Sequence, residues 1–560
     1  MAELAAPRPT IVPNWRGAAG LPLRAARAVR WRRLLSEGVV MFVVAFAFYI
    51  AVAVYLVLDL HYLTRDAYTR VANAQFVLFS RDPHLAAVGF IWPPLPALLD
   101  APLLLLKGWF PVLATHGFAG SVEAAAFSAG TAVLLNSALR ELRVARPLRW
   151  LLYLAFVLHP MVIIYAIQGM SEAMFDFFVV GSLLGFLRWT RRGRAIDLTL
   201  AGAMVGLGSL VRYEILLVFV VLVCGVAIVA YSRSRSWRET ETNLLLFGVP
   251  VAFLFGVWVV ASGVIEGDAF FAFHSYYSSE NLVVVGGVAG SDPQLRTLAG
   301  AGRYIFQNAA ALCPAVIPLL GLLALRFVFL RDRLVSLVLI LLAFPVLVFD
   351  ARLLSEGKLA ADGLRYQIYV IPYAFAAGTA LLGDARRLIP RFAPIAALLA
   401  VGVFAVSDAL SLYIVNDPVK APYERPAITA AMSHQRVTDP NHNPIDDSRT
   451  IALAVASFDS DHGLVAVDTF LGFGIPLGAP DPKLYLITSD EDFKESIAAP
   501  QLFGVKYFLV PRPGGFGDID SINRLYPGLW QNGAGVATLT ADLGTTLGWR
   551  LYRITETPNR

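Results

Sequence analysis

A succession of apolar runs, each about as long as the roughly 20 residues a helix needs to cross a bilayer, constrains this chain more than any other feature. They fall at 39–58, 118–139, 150–167, 171–188, 196–212, 213–231, 243–263, 302–325, 334–350, 365–383 and 393–414. Of the 560 residues, 57% are hydrophobic and only 16% charged, and the mean hydropathy is +0.62. Soluble domains carry about a quarter charged residues. The expected fold is therefore a polytopic α-helical membrane protein with about eleven transmembrane helices.

Arginine placement orients these helices, because short basic loops stay on the cytoplasmic side. Residues 1–36 form a basic tail with Arg24, Arg27, Arg30, Arg32 and Arg33, expected to be cytoplasmic and followed by an uncleaved first span. Pro94–Phe110 is apolar enough to count as a twelfth span. If it does not cross, the clusters Arg140–Arg149, Arg188–Arg194, Arg233–Arg238, Arg326–Arg333 and Arg386–Arg391 all share the side of the tail. If it crosses, they all move outside. An interfacial or re-entrant helix is therefore expected there, as Pro93, Pro94, Pro96 and Pro102 also favour.

The transmembrane domain then covers 37–415, with an outer first loop at 59–117, and residues 416–560 form an extracytoplasmic soluble α/β domain. In that domain Thr450–Ser457, Lys483–Ile487, Lys506–Val510 and Trp549–Ile554 read as strands and Ser489–Ala498 as a capped helix. Asp417–Asp447 reads as a linker or flexible loop, and Asp459, Asp461 and His462 as a polar turn. The plasma membrane is the expected location. The net charge of +5 implies no nucleic-acid partner, since most arginines cap apolar runs, and Cys224 and Cys313, both inside such runs, form no disulfide framework.

Charged groups at membrane depth are costly unless they pair or face water, so the polar residues at the outer rim are the functional candidates. Asp66, Arg70, Glu172, Arg212, Glu214, His274, Arg365 and Tyr366 all come out on that side. Asp66, opening an amphipathic helix, reads either as a general base or as a helix cap paired with Arg65 or Arg70. Glu172 reads as a group that orients an arginine or binds a ligand, or as a first-turn acid that complements the helix dipole and caps with Ser171. Arg212-Tyr213-Glu214 is equally consistent with a polar turn between spans. Trp92, Tyr276, Tyr277 and Tyr373 could stack on a ligand or form an aromatic belt at the bilayer interface. Asp66 with His84 and His274 could hold a divalent cation, but their spacing carries no ligand signature, so no metal or other cofactor is expected.

The order Asp66-Ala67-Tyr68-Thr69-Arg70, Gly89-Phe90-Ile91-Trp92-Pro93-Pro94-Leu95, His159-Pro160 ahead of Gly169-Met170-Ser171-Glu172, and Arg365-Tyr366 with Pro372 resembles the GT-C class of integral-membrane glycosyltransferases. That class includes protein O-mannosyltransferases, aminoarabinose transferases and actinobacterial mannosyl- and arabinosyltransferases. The likeness covers about the first 415 residues, and many members also carry an outer soluble domain. Ala67 departs from it, standing where many relatives have a second acid.

The resemblance implies inverting transfer of a sugar, mannose or arabinofuranose, from a polyprenyl-phosphate donor to a glycan, glycolipid or protein acceptor in the cell envelope. It implies Asp66 as catalytic base, Arg365, Arg212 and Arg70 as ligands of the donor phosphate, and Glu172, Tyr68, Trp92, His274 and Tyr366 as sugar or acceptor ligands. Two other readings of the same charges are a transporter or lipid flippase, and a non-catalytic envelope assembly protein.

Overall fold

The computed structural model describes residues 22–278, 282–283, 293–329, 333–360, 363–458, 463–544 and 548–555. The first 21 residues of the basic tail, and the polar turn at Asp459, Asp461 and His462, lie outside them. Among the described residues, eight helices are long and apolar enough to cross a membrane: Glu37–Asp59, Phe118–Glu141, Ser171–Arg192, Ile215–Ser234, Trp237–Ile265, Arg333–Glu356, Leu364–Leu388 and Ala393–Val415.

The other three expected spans take different forms. Those at 150–167 and 302–325 are helix pairs, Arg146–Val157 with Pro160–Ala166 bent by 65°, and Leu298–Leu312 with Val316–Phe329 bent by 99°. The run at 196–212 is a 15-residue helix, Ala195–Ser209. Proline accounts for the first bend: Pro160 has no N–H to continue the ladder, and the His159 ring caps the new helix by accepting from the Met161 N–H. Pro314 stands between the helices of the second pair.

The arginine-rich ends meet on one face, as the loop pattern requires. Arg149 pairs with Glu37 at 3.0 Å, Arg188 and Arg192 with Glu141 at 3.0 and 2.8 Å, and Arg326 with Asp384. Pro94–Phe110 contributes only the ten-residue helix Leu95–Leu104. At about 1.5 Å per residue it is too short to cross, and it packs between helices Arg65–Phe79 and Phe118–Glu141.

The C-terminal region carries one mixed sheet of order β2-β1-β3-β5-β4, from β1 Leu464–Val467, β2 Tyr485–Ile487, β3 Val505–Pro511, β4 Ala537–Asp542 and β5 Trp549–Ile554. β1 runs parallel to β2 and β3, while β5 is antiparallel to β3 and β4. Side chains alternate between the faces of a strand. Ala466, Leu486, Phe508 and Tyr552 face a small separate core with Phe493 and Ile522. Val465, Ile487, Leu509 and Leu551 join the core that continues into the membrane domain.

Two expectations for this region are corrected. Thr450–Ser457 is not a strand but part of helix Pro444–Phe458, whose buried Ile445, Ser448, Ile451, Ala452 and Val455 recur at helical spacing. Asp417–Asp447 is not a linker: it holds helix Arg425–Ser433 and is fastened to the first loop, where the Leu63 N–H donates to the His442 carbonyl at 2.8 Å and the Val437 N–H to the Leu60 carbonyl at 2.9 Å. The helix expected over Ser489–Ala498 is shorter, Phe493–Ala498, because Asp490 turns back to accept from the Ile487 N–H and pairs with Arg81. β1 and β4 were not among the expected strands.

Candidate active site

Helix Arg65–Phe79 carries Asp66 and Arg70 one turn apart and so on one face, with Tyr68 on the other. Thr64, not Asp66, occupies the N-cap position. Asp66 pairs with neither of its sequence neighbours: its Oδ2 accepts from Arg365 Nη1 at 2.7 Å, across 299 residues of chain. Burial pushes the Asp66 carboxyl upward, but Arg365, then Arg70 and Arg65, outweigh it and hold the group below its usual range. Its side chain remains 38% exposed, so a second molecule can reach it.

Arg212 forms the second ion pair, donating to Glu172 at 2.6 Å and to Glu214 at 2.8 Å. Glu172 is almost fully buried at the start of helix Ser171–Arg192. It reaches this place because Gly169, at φ +70°, lies against helix Phe118–Glu141, where a Cβ would stand 2.6 Å from the Gly120 Cα. The next residue but one, Ser171, accepts from Arg70 Nη2 at 3.3 Å. The Arg70 guanidinium lies over the Trp92 ring at 4.8 Å, a cation–π contact. Tyr366 joins the groups, with its hydroxyl 3.1 Å from Arg365 Nη2 and its ring 5.9 Å from the Arg212 guanidinium.

Asp66, Arg70, Trp92, Glu172, Arg212, Arg365 and Tyr366 thus come together, with Glu214 beside them. Tyr68 does not: its hydroxyl donates to the Thr115 carbonyl at 3.0 Å and its ring packs against Phe473 in the core. His274 pairs with Asp268 at 2.7 Å and is 66% exposed, and His84 bonds within its own turn to the Asp82 carbonyl. Neither meets Asp66. Among the described residues no group of three or more His, Cys, Asp or Glu is arranged to hold a metal ion. Tyr373 is a core residue bonded to the Leu339 carbonyl, while Tyr277 reaches Ser521 in the C-terminal domain at 3.0 Å.

Several polar groups at the site were not singled out from the sequence. Asp100 and Glu123 lie behind Arg70, and Asp176 behind Glu172 and Arg212, all buried and all electrostatically coupled to those arginines. An acid inside an apolar run is itself the signal that marks each of them. Tyr165 and Glu424, bonded at 2.7 Å, complete the wall beside Arg365. No sequence signal marks Glu424.

A helical membrane bundle with paired arginines and carboxylates at one rim, roofed by an extramembrane α/β domain, is the GT-C-like architecture expected from the sequence. The crystal structure of ArnT from Cupriavidus metallidurans bound to undecaprenyl phosphate shares this fold, with a TM-score of 0.50 and 16% identity over 92% of this chain and 97% of that one. The apo form of the same protein gives 0.49, at 16% identity over 91% and 97%. The Archaeoglobus fulgidus oligosaccharyltransferase in complex with Zn and sulfate gives 0.40, at 13% identity over 83% and 68%. No protein-family model and no curated protein sequence matches the chain.

Proposed function

We propose that the protein is an inverting glycosyltransferase that moves a sugar from a polyprenyl-phosphate donor to an acceptor hydroxyl at the outer face of the plasma membrane. One observation carries this reading: the Asp66–Arg365 and Glu172–Arg212 ion pairs and the Arg70 guanidinium, bonded to Ser171, come together around Tyr366 and Trp92, in a fold shared with a protein crystallised with undecaprenyl phosphate. Guanidinium forks match phosphate oxygens, and Asp66 is the accessible carboxylate beside them. The acceptor oxygen attacks the anomeric carbon, and its proton passes to Asp66. The bond to phosphate breaks with its electron pair, leaving a polyprenyl phosphate monoester stabilised by the arginines.

The donor phosphate is assigned to Arg365, Arg212 and Arg70, and the sugar and acceptor to Glu172, Trp92 and Tyr366. The scheme calls on no cofactor. Mannose and arabinofuranose are the sugars that the sequence resemblance points to, and an envelope glycan, glycolipid or protein the acceptor. Mass spectrometry of lipids copurified with the protein tests the donor class. A polyprenyl phosphate or its glycosylated form is expected; its absence, with no polyprenyl-phosphate sugar bound when added, would contradict the reading.

The orientation is proposed from the basic face, placed in the cytoplasm with the N-terminus, so that the α/β domain lies outside. Gly108 is exposed, with nothing within 4 Å of a Cβ built on it. In a background with Cys224 and Cys313 replaced by alanine, Gly108→Cys is expected to react with an impermeant maleimide from outside intact cells. Reaction only after the cytoplasmic face is opened would reverse the assignment.

A further inference from the structure

The segment after the last membrane helix brings its own carboxylate to the site. Glu424 is fully buried at the N-cap of helix Arg425–Ser433. Its Oε1 accepts from the Tyr165 hydroxyl at 2.7 Å, whereas Oε2 has no hydrogen-bond partner. The preceding residue, Tyr423, presents its ring to the Arg365 guanidinium at 5.7 Å, and its carbonyl accepts from the Tyr62 hydroxyl at 2.8 Å. The charged and titratable groups facing Glu424 are Arg365, Glu172, Tyr165 and Tyr62, while Arg425 points outward and is exposed. A buried carboxylate with one oxygen unsatisfied competes with any arriving anion for the nearest guanidinium.

We propose that Glu424, held by Tyr165, is a positioning residue whose charge governs how freely Arg365 engages the phosphate of a polyprenyl carrier. The proposal rests on the reading of the site as a polyprenyl-phosphate transferase. Arg365 is paired with Asp66 and Arg212 with Glu172 and Glu214, while Arg70 bonds to Ser171 with the buried acids Asp100 and Glu123 behind it. Glu424 comes from the segment after the last membrane helix and, when ionised, adds a negative charge beside Arg365 that opposes an arriving anion. Burial pushes its carboxyl up to about 7, with the Tyr165 bond and Arg365 opposing the rise. Glu424 is then neutral below that pH and leaves Arg365 to the phosphate. Above it, the carboxylate draws on Arg365 and phosphate binding weakens.

The test is the affinity of the purified full-length chain in detergent for undecaprenyl phosphate, measured on both sides of pH 7 for wild type, Glu424→Gln and Tyr165→Phe. Gln keeps the acceptor for Tyr165 and cannot ionise. The second ionisation of the lipid phosphate, near pH 6, is common to all three proteins, so the ratio between proteins is the readout. Wild type is expected to lose about fivefold to tenfold relative to Glu424→Gln as the pH rises through 7. Tyr165→Phe removes a bond to the charged form and is expected to move the inflection to higher pH. A wild-type to Glu424→Gln ratio that stays constant with pH would overturn the role of Glu424 while leaving the transferase reading intact. Failure of wild type to bind at any pH would overturn that reading, and this inference with it.

Discussion

Arg365→Ala is expected to lower sugar transfer by about 10²–10³-fold, the cost typical of removing one preorganised donor from a developing negative charge. The effect is large because Arg365 has two tasks. In the resting protein it pairs with Asp66 at 2.7 Å; with donor bound it is expected to turn to the phosphate, which grows more negative as the glycosidic bond breaks. The variant should also change the pH dependence. Arg365 is the strongest of the cations holding the Asp66 carboxyl low against the effect of burial. Without it, Asp66 is expected to titrate higher, so the acid limb of kcat/KM moves to higher pH. Arg365→Lys keeps the charge but loses the fork and should recover only part of the rate. A full rate in Arg365→Ala with an unshifted acid limb would contradict the assignment.

Asp66→Asn is expected to remove about 10²–10⁴-fold of the rate, the range of a positioned general base. The substitution keeps the shape of the side chain and leaves helix Arg65–Phe79 in place, so stability should change little. Donor binding should be retained or improved, because Arg365 loses its carboxylate competitor. That split, with donor affinity kept and turnover lost, separates a base from a residue that merely holds Arg365 in position. A variant that instead lost donor affinity with turnover intact would assign Asp66 to the latter role. On the proposed function, the donor phosphate is expected to draw Arg365 away from Asp66 before Asp66 acts as a base, so donor binding is expected to precede acceptor activation.

Much of the membrane domain was legible because burial in lipid leaves an apolar run of nearly fixed length, as at 171–188 and 393–414. The bends at 159–160 and 313–314 were less so: the prolines were visible, but whether a proline kinks a span or ends it depends on the helices packed around it. In the C-terminal domain, Thr450–Ser457 misled because eight residues of alternating small and branched side chains fit either period. The alanines, strong helix formers, and the buried Ile445, Ile451 and Val455 settle it as helix. Asp417–Asp447 has the composition of a linker, yet it is tied to the first loop by bonds spanning several hundred residues, which no local pattern reveals.

The site divides along the same line. Asp66 and Arg70 share a helical face by spacing alone, and that spacing also turns Tyr68 away into the core. Glu172 and Arg212 are rim residues of neighbouring spans, within reach of a topological argument. The partnership of Asp66 with Arg365, by contrast, depends on how the last spans fold back over the first loop. His274 shared the rim by topology, but the loop geometry gives it to Asp268. Glu424 is hidden altogether, being an ordinary acid in a polar segment until the chain folds beneath Tyr165.

The most direct measurement is single-turnover transfer from a radiolabelled polyprenyl-phosphate sugar by the purified protein, with wild type, Arg365→Ala and Asp66→Asn compared at matched thermal stability. Labelled product is expected from wild type alone within its turnover time, with the label at inverted anomeric configuration. Undiminished transfer by both variants, or retained configuration in the product, would contradict a rim site in which Asp66 accepts the proton and Arg365 receives the phosphate.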